Sequence, residues 1–150
     1  MKKLYLSTNV KNNYKEVYTG FDLKLFKALK PPLMDLEVTR FDGCKKGDQV
    51  HLRVGLLGLG QDWISHITSH HEDEHECFFI DEGFKIPFPL KSWQHRHIVQ
   101  KISANETKII DDISYSCFGG KVVELLMYPA LLAQFLVRAP VYRRFFDSEK

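Results

Sequence analysis

Charge of one sign is what this sequence most lacks: 21 Lys and Arg stand against 19 Asp and Glu, a formal net charge of +2 over 150 residues. Without a bulk basic excess there is little to hold a phosphate backbone, so nucleic acid is not an expected partner. Cysteine is scarce as well. Cys44, Cys77 and Cys117 are odd in number and widely spaced, which excludes a disulfide framework or a C-x-x-C site and leaves reduced thiols as the expectation. No uninterrupted apolar run reaches the roughly 18 residues of a spanning helix. The most apolar stretch, Val122 to Val137, is broken by Glu124, Pro129 and Gln134, so stable membrane insertion is not expected. The amino terminus turns polar after Leu6 and lacks the apolar core of a secretory signal, which points to the cytoplasm. No serine or cysteine sits in a nucleophile elbow, and Gly55, Gly58 and Gly60 fit no phosphate loop, their expected use being a turn or sheet curvature.

What is abundant is apolar and aromatic area: 44% hydrophobic and 13% aromatic residues, including 11 Phe. That is enough for one core, and with no repeat or linker the expectation is a single domain over residues 1–150. A short strand, Lys3 to Ser7, is expected first. Thr8 or Asn9 then caps a helix carrying Val10, Tyr14, Val17 and Tyr18 at helical spacing, ended by Gly20. Asp22 caps a second short helix, with Phe21 and Phe26 placed as a hydrophobic staple and Pro31-Pro32 as the stop. From Met34 the period becomes two. Met34, Leu36 and Val38 alternate with charged or polar neighbours, as do Val50, Leu52, Val54 and Leu56, and further strands follow at 61–69, 75–81, 92–102 and 107–118 as an antiparallel meander. After Gly119-Gly120, Leu125, Tyr128, Leu132, Phe135, Ala139, Tyr142 and Phe146 share one helical face. A long terminal helix is expected, starting properly near Pro129 and bent near Pro140.

This element order, with Trp93-x-His95-x-His97, then Thr107-x-x-x-Asp111-x-Ile113-x-Tyr115, a Gly-Gly turn and a long helix carrying Arg138 or Arg143, resembles the START-like superfamily, whose bacterial branch is called SRPBCC. The resemblance implies an α+β helix-grip fold, in which a curved antiparallel sheet of about seven strands wraps around a long C-terminal helix, with two short helices after the first strand. It implies an apolar cavity between sheet and helix. Superfamily members include lipid carriers, hormone receptors and aromatase/cyclases, so the fold alone fixes no chemistry. Members usually carry a proline near the end of the last strand, where this chain has Ser116-Cys117-Phe118.

The expected function is binding of an apolar or aromatic small molecule, lipid-like or polyketide-like, in that cavity. The expected lining is Trp63, Trp93, His95, His97, Val99, Asp111, Ile113 and Tyr115 from the strands and Leu125, Tyr128, Leu132 and Phe135 from the helix. If Ser103 pairs with Thr107, Tyr115 lies opposite His95 and Asp111 diagonal to His97, making a buried His/Asp/Tyr centre. Its weak catalytic candidates are His97, Asp111 and Tyr115, acting as base and orienter in an aromatase/cyclase-like enzyme; a ligand-orienting or structural pair is the plainer reading. A cavity filled by bulky side chains would instead mark an interaction domain. The run His66, His70, His71 and His75, among acidic neighbours, has metal-ligand chemistry but falls on an expected solvated hairpin, and neither a metal nor another cofactor is expected. Arg138, Arg143 and Arg144, beside Phe145 and Phe146, read as a solvated helix end at the negative pole of the helix dipole, with an acidic or membrane surface as the rarer alternative.

Overall fold

The computed structural model describes residues 1–32, 34–56 and 59–147; Gly58, one of the three glycines singled out above, lies outside them. Seven strands form a single antiparallel sheet in the order β1-β7-β6-β5-β4-β3-β2: β1 (Lys2–Val10), β2 (Asp35–Phe41), β3 (Gln49–Leu56), β4 (Leu59–Glu72), β5 (Glu76–Lys85), β6 (Leu90–Ser103) and β7 (Glu106–Cys117). Breaks of register in β2, β4, β5 and β6 are bulges, which bend a strand and raise its twist, so the sheet curls. Gly55 pairs with Gly60 where β3 returns into β4.

The first strand runs farther than expected because its alternation does: Leu4, Thr8 and Val10 are all buried and the pairing with β7 continues to Val10 opposite Thr107. The first helix, α1 (Tyr14–Thr19), is therefore capped by Asn13, whose side chain accepts from the Lys15 N–H at 2.9 Å, and not by Thr8 or Asn9. Asp22 caps α2 (Leu23–Ala28) as expected, accepting from the Leu25 N–H at 2.9 Å. The staple does not govern its flanking rings: Phe21 packs on Phe79, His97 and Phe146, and Phe26 on Phe41.

The terminal helix begins earlier and breaks earlier than the proline positions suggest. Residues 121–136 form α3 (Lys121–Leu136) with Pro129 inside it, and a turn at Val137 leads into α4 (Arg138–Phe146). Pro140 causes this break from four residues away. Its ring collides with the carbonyl of Leu136, which becomes the last residue of α3. Taken together, Lys121–Phe146 is long and apolar enough, by length and composition, to cross a membrane despite Glu124, Pro129 and Gln134, and only 17% of its most apolar stretch is buried. Residues on its inner side tie it to the sheet.

The phase of that inner side is set by a charge. Glu124 is buried, with its carboxylate 3.4 Å from the amino group of Met1 and accepting from the Cys117 N–H, while its carbonyl accepts from the Tyr115 hydroxyl at 2.7 Å. With position 124 buried, Leu131 and Phe135 also face inward on α3, and Tyr142 and Phe146 do so on α4. Leu125 is instead 63% exposed, which corrects its expected place in the cavity. Two packed clusters result. One joins α1, α2 and α4 to the sheet around Val17, Val99 and Tyr142; the other joins α3 to β1, β6 and β7 around Trp93, Ile113 and Tyr115.

Candidate functional site

Between these clusters lies a cleft walled by Leu36 of β2, Val50, Leu52 and Val54 of β3, Trp63 of β4, Trp93 of β6, and Leu131 and Phe135 of α3. Its floor is polar: Ser65, Asp81, His95, His97 and Arg138. The cavity volume is about 130 Å³, with a smaller space of about 30 Å³ behind it, toward Phe21 and Phe79, that also touches Asp81, His97 and Arg138. A volume of this size holds about one aromatic ring, below the roughly 300 to 1,000 Å³ of common ligand pockets, so a sterol-sized occupant does not fit without movement.

The floor is organised by the β6–β7 register. A two-residue turn pairs Ser103 with Glu106, and a bulge then sets Lys101 opposite Thr107, so His97 faces Asp111, His95 faces Ile113 and Trp93 faces Tyr115. This is two residues from the expected register. Because strand faces alternate with period two, a shift of two keeps all these side chains on the inner face and changes only who meets whom. Asp111 is thus bonded by His95, not His97: the His95 Nε2–H donates to Asp111 Oδ1 at 2.8 Å, while His97 Nδ1 stays 3.9 Å away. The tautomer of His95 follows from its partner, since an ionised carboxylate can only accept. Tyr115 does not join the centre, its hydroxyl being committed to Glu124.

Two members of the network come from α4. Arg138 Nη1 donates to Asp111 Oδ1 at 3.3 Å, and the Tyr142 hydroxyl donates to Oδ2 at 3.2 Å. Burial by itself would raise the Asp111 pKa, but Arg138, His95 and Tyr142 outweigh it and hold the carboxyl below its usual range. Such a saturated carboxylate is a poor base. Arg138 is not the solvated helix end expected of it: its side chain is 14% exposed and its guanidinium lies over the Phe135 ring. Its spacing from Phe135 and Tyr142, three and four residues, was the available signal.

Asp81 was also missed, although it continues the inward alternation of Cys77 and Phe79. It pairs with His95 across β5–β6, and its Oδ1 is sealed from solvent without a hydrogen-bond partner. Burial raises its pKa, partly offset by His95, Ser65 and Arg138. His97 Nδ1 is the second unpartnered buried atom on the cleft floor. The His97 ring is sandwiched between His95, at 3.5 Å between centroids, and Phe79, at 4.3 Å. Burial, then His95 and Arg138, push its pKa well below the ordinary value, so it is neutral at pH 7. Two residues that line the cleft floor thus each hold a buried polar atom without a partner, an Asp81 carboxyl oxygen and a neutral imidazole nitrogen of His97.

Of the other expected lining residues, Val99, Ile113 and Tyr115 are consumed by the packed clusters. Tyr128 and Leu132 are partly buried against the cluster on β1 and β7, where Lys2 lies over the Tyr128 ring. His95, His97 and Asp111 bring three possible metal ligands within 4.8 Å of one another. The donor types suit a transition metal, but Asp111 already balances Arg138 and accepts from His95, so a dication would have to displace both. The histidines of the β4–β5 hairpin diverge: His66 stacks on Phe84, His70 accepts from the Lys46 N–H, and His71 pairs with Asp73.

No family model matches this chain, and no curated protein matches its sequence. Solved structures do match. The Zhui aromatase/cyclase of a Streptomyces species superposes with a TM-score of 0.62 at 14% identity, covering 93% of each chain. A norcoclaurine synthase of Thalictrum flavum, seen with a transition-state analogue, gives 0.65 at 12% identity, covering 94% of this chain and 93% of the other. The protein XoxI of Bacillus cereus gives 0.64 at 12% identity, covering 97% and 96%. The chain shares the α+β helix-grip fold of these structures. In this helix-grip structure the gripping sheet and α3 leave the cleft just described, and α4 closes its polar end.

The electrostatics predict an acid-sensitive fold. Below about pH 6.5 an unfolded histidine takes up a proton that native His97 refuses, so its contribution to stability falls as the pH falls. Asp111 adds loss in the same direction below the ordinary aspartate value, while Asp81, with its raised pKa, works oppositely. Thermal melts from pH 7.5 to about 5.5 are expected to fall more steeply for the wild type than for His97→Phe, which keeps the stack on Phe79. Equal slopes would show that His97 is protonated in the native state.

Proposed function

We propose that this protein binds a small aromatic or otherwise apolar molecule in the cleft, with one polar group of the ligand reaching Asp81 and His97. The observation that carries this reading is an apolar-walled cleft ending on two buried polar atoms that lack partners, Asp81 Oδ1 and His97 Nδ1. Leaving such atoms unpaired costs about 1–3 kcal/mol each, a cost that a ligand hydroxyl would remove. The fold neighbours support a small-molecule occupant, one being an aromatase/cyclase and another a norcoclaurine synthase.

The chain's two tryptophans, Trp63 and Trp93, both wall the cleft and report on it. Phenol is expected to change their fluorescence saturably and toluene to do so more weakly, and Asp81→Leu should remove that preference. Leu131→Trp, followed by calorimetry, should abolish phenol binding while the fold persists. Absence of binding by the wild type, with Leu131→Trp costing about 1–3 kcal/mol by overpacking, would mean a filled core and a protein that works through its surface.

A second reading, proton abstraction from the bound molecule, is favoured by Asp81 itself. A buried carboxylate with a raised pKa and a free oxygen is a better general base than saturated Asp111 or the weakly basic His97. Exchange of the methyl protons of acetophenone into deuterated water, catalysed by the wild type and lost in Asp81→Asn, would establish it; exchange equal to the buffer rate would reject it.

A further inference from the structure

The outer side of α3 is apolar where a soluble helix is normally charged. Val122, Leu125, Leu126 and Leu136 are 69%, 63%, 73% and 54% exposed, and with Pro129 and Ala133 they follow helical spacing along one side. Two stacked rings extend the patch past the start of the helix: Phe118, 54% exposed, ends the β7 corner and lies against Phe88, 75% exposed, from the loop before β6. A helix apolar on every side has a partner on every side, and the sheet covers only one.

Charge indicates which partner. From Ile113 to Asp147 the chain carries Lys121, Arg138, Arg143 and Arg144 against two acids: Glu124, which is buried beneath the patch, and Asp147 at the end of α4, whose Oδ1 accepts from the Lys11 N–H. Lys121 at the start of α3 and Arg143 and Arg144 in α4 are exposed, so cations bracket the apolar side at both ends. A second copy of this chain would bring no exposed acid from α3, and Asp147 at the end of α4 stands beside two cations, Arg143 and Arg144. Packed parallel it would set Lys121 on Lys121, and packed antiparallel it would set Lys121 toward Arg143 and Arg144. An anionic lipid surface complements both features, taking the leucines and phenylalanines below the headgroups and the cations among the phosphates.

We propose that the outer side of α3, with Phe88 and Phe118, docks the protein reversibly onto anionic membranes, the helix lying in the plane of the interface. Docking here leaves the inner side of α3 in the sheet. It differs from the Arg and Phe cluster at the end of the chain considered from sequence, in which Arg138 and Phe146 are buried.

Co-sedimentation with vesicles tests this. The wild type should bind phosphatidylcholine vesicles containing ~30 mol% phosphatidylglycerol, bind pure phosphatidylcholine much less, and release as salt rises. Arg143→Gln with Arg144→Gln should weaken binding about tenfold or more. Leu125→Glu with Leu126→Glu should abolish it, with an unchanged thermal melt since both side chains are exposed. Absence of vesicle binding, or binding indifferent to these substitutions, would overturn the proposal. So would a dimer in light scattering that the leucine substitutions dissociate, which would assign the patch to a second copy. Phenol titration of the same variants keeps the outcome separate from the cleft.

Discussion

Asp111→Ala should destabilise the protein by about 3–5 kcal/mol, measured by urea unfolding, because it strands a buried cation. Asp111 is the acceptor shared by His95, Arg138 and Tyr142, and its side chain is only 5% exposed. Its removal leaves the guanidinium with the more distant charge of Asp81 and the Tyr142 hydroxyl without its carboxylate. Most of the cost is that uncompensated charge rather than the worth of the contacts themselves. Arg138→Met in the Asp111→Ala background should therefore recover a substantial part of the loss, since a neutral side chain of similar length leaves nothing to solvate. A loss below about 1 kcal/mol for Asp111→Ala would mean that Arg138 escapes to solvent and that the network is loose.

Phe135→Ala should cost a similar amount, about 3–5 kcal/mol, and should also enlarge the cleft. The ring stacks on Trp93, meets His95 edge-on and carries the Arg138 guanidinium on its face, so it joins the apolar wall to the polar floor. Removing it joins a ring-sized void to the existing cavity of about 130 Å³. The variant is expected to bind two-ring molecules such as naphthol more tightly than the wild type does, and ligand should restore part of its melting temperature. If the variant loses stability without gaining affinity for the larger ring, the helix has collapsed into the space and the cleft is not a preformed site.

Much of the fold was legible because its signals are local. The alternation in β2 and β3, the Asp22 cap and the Gly-Gly corner before α3 each depend on residues within a few positions, and all appear where their patterns put them. Gly119 and Gly120 have φ of 96° and 71°, a left-handed conformation that favours glycine. His95, His97 and Asp111 were identified together for the same reason, since strand parity survives a change of register by two. Local rules failed where a charge was taken to mean solvent. Glu124, Arg138 and Asp81 look like surface residues in sequence, yet Glu124 sets the phase of α3 and the other two form the floor of the cleft.

The sequence by itself thus determined the later strands in outline, the Asp22-capped helix and the inward face of β6 and β7, because periodicity and caps are properties of neighbouring residues, while the helix-grip arrangement was what the resemblance implied. Only the tertiary structure decided which atoms meet. The bulge in β6 moved Asp111 from a diagonal of His97 to a bond with His95, and a buried glutamate rotated α3 so that Leu131 replaced Leu125 at the cavity. Both are choices between arrangements with equal local merit, and they are settled by partners distant in the chain: the Met1 amino group for Glu124, and Arg138 and Tyr142 for Asp111.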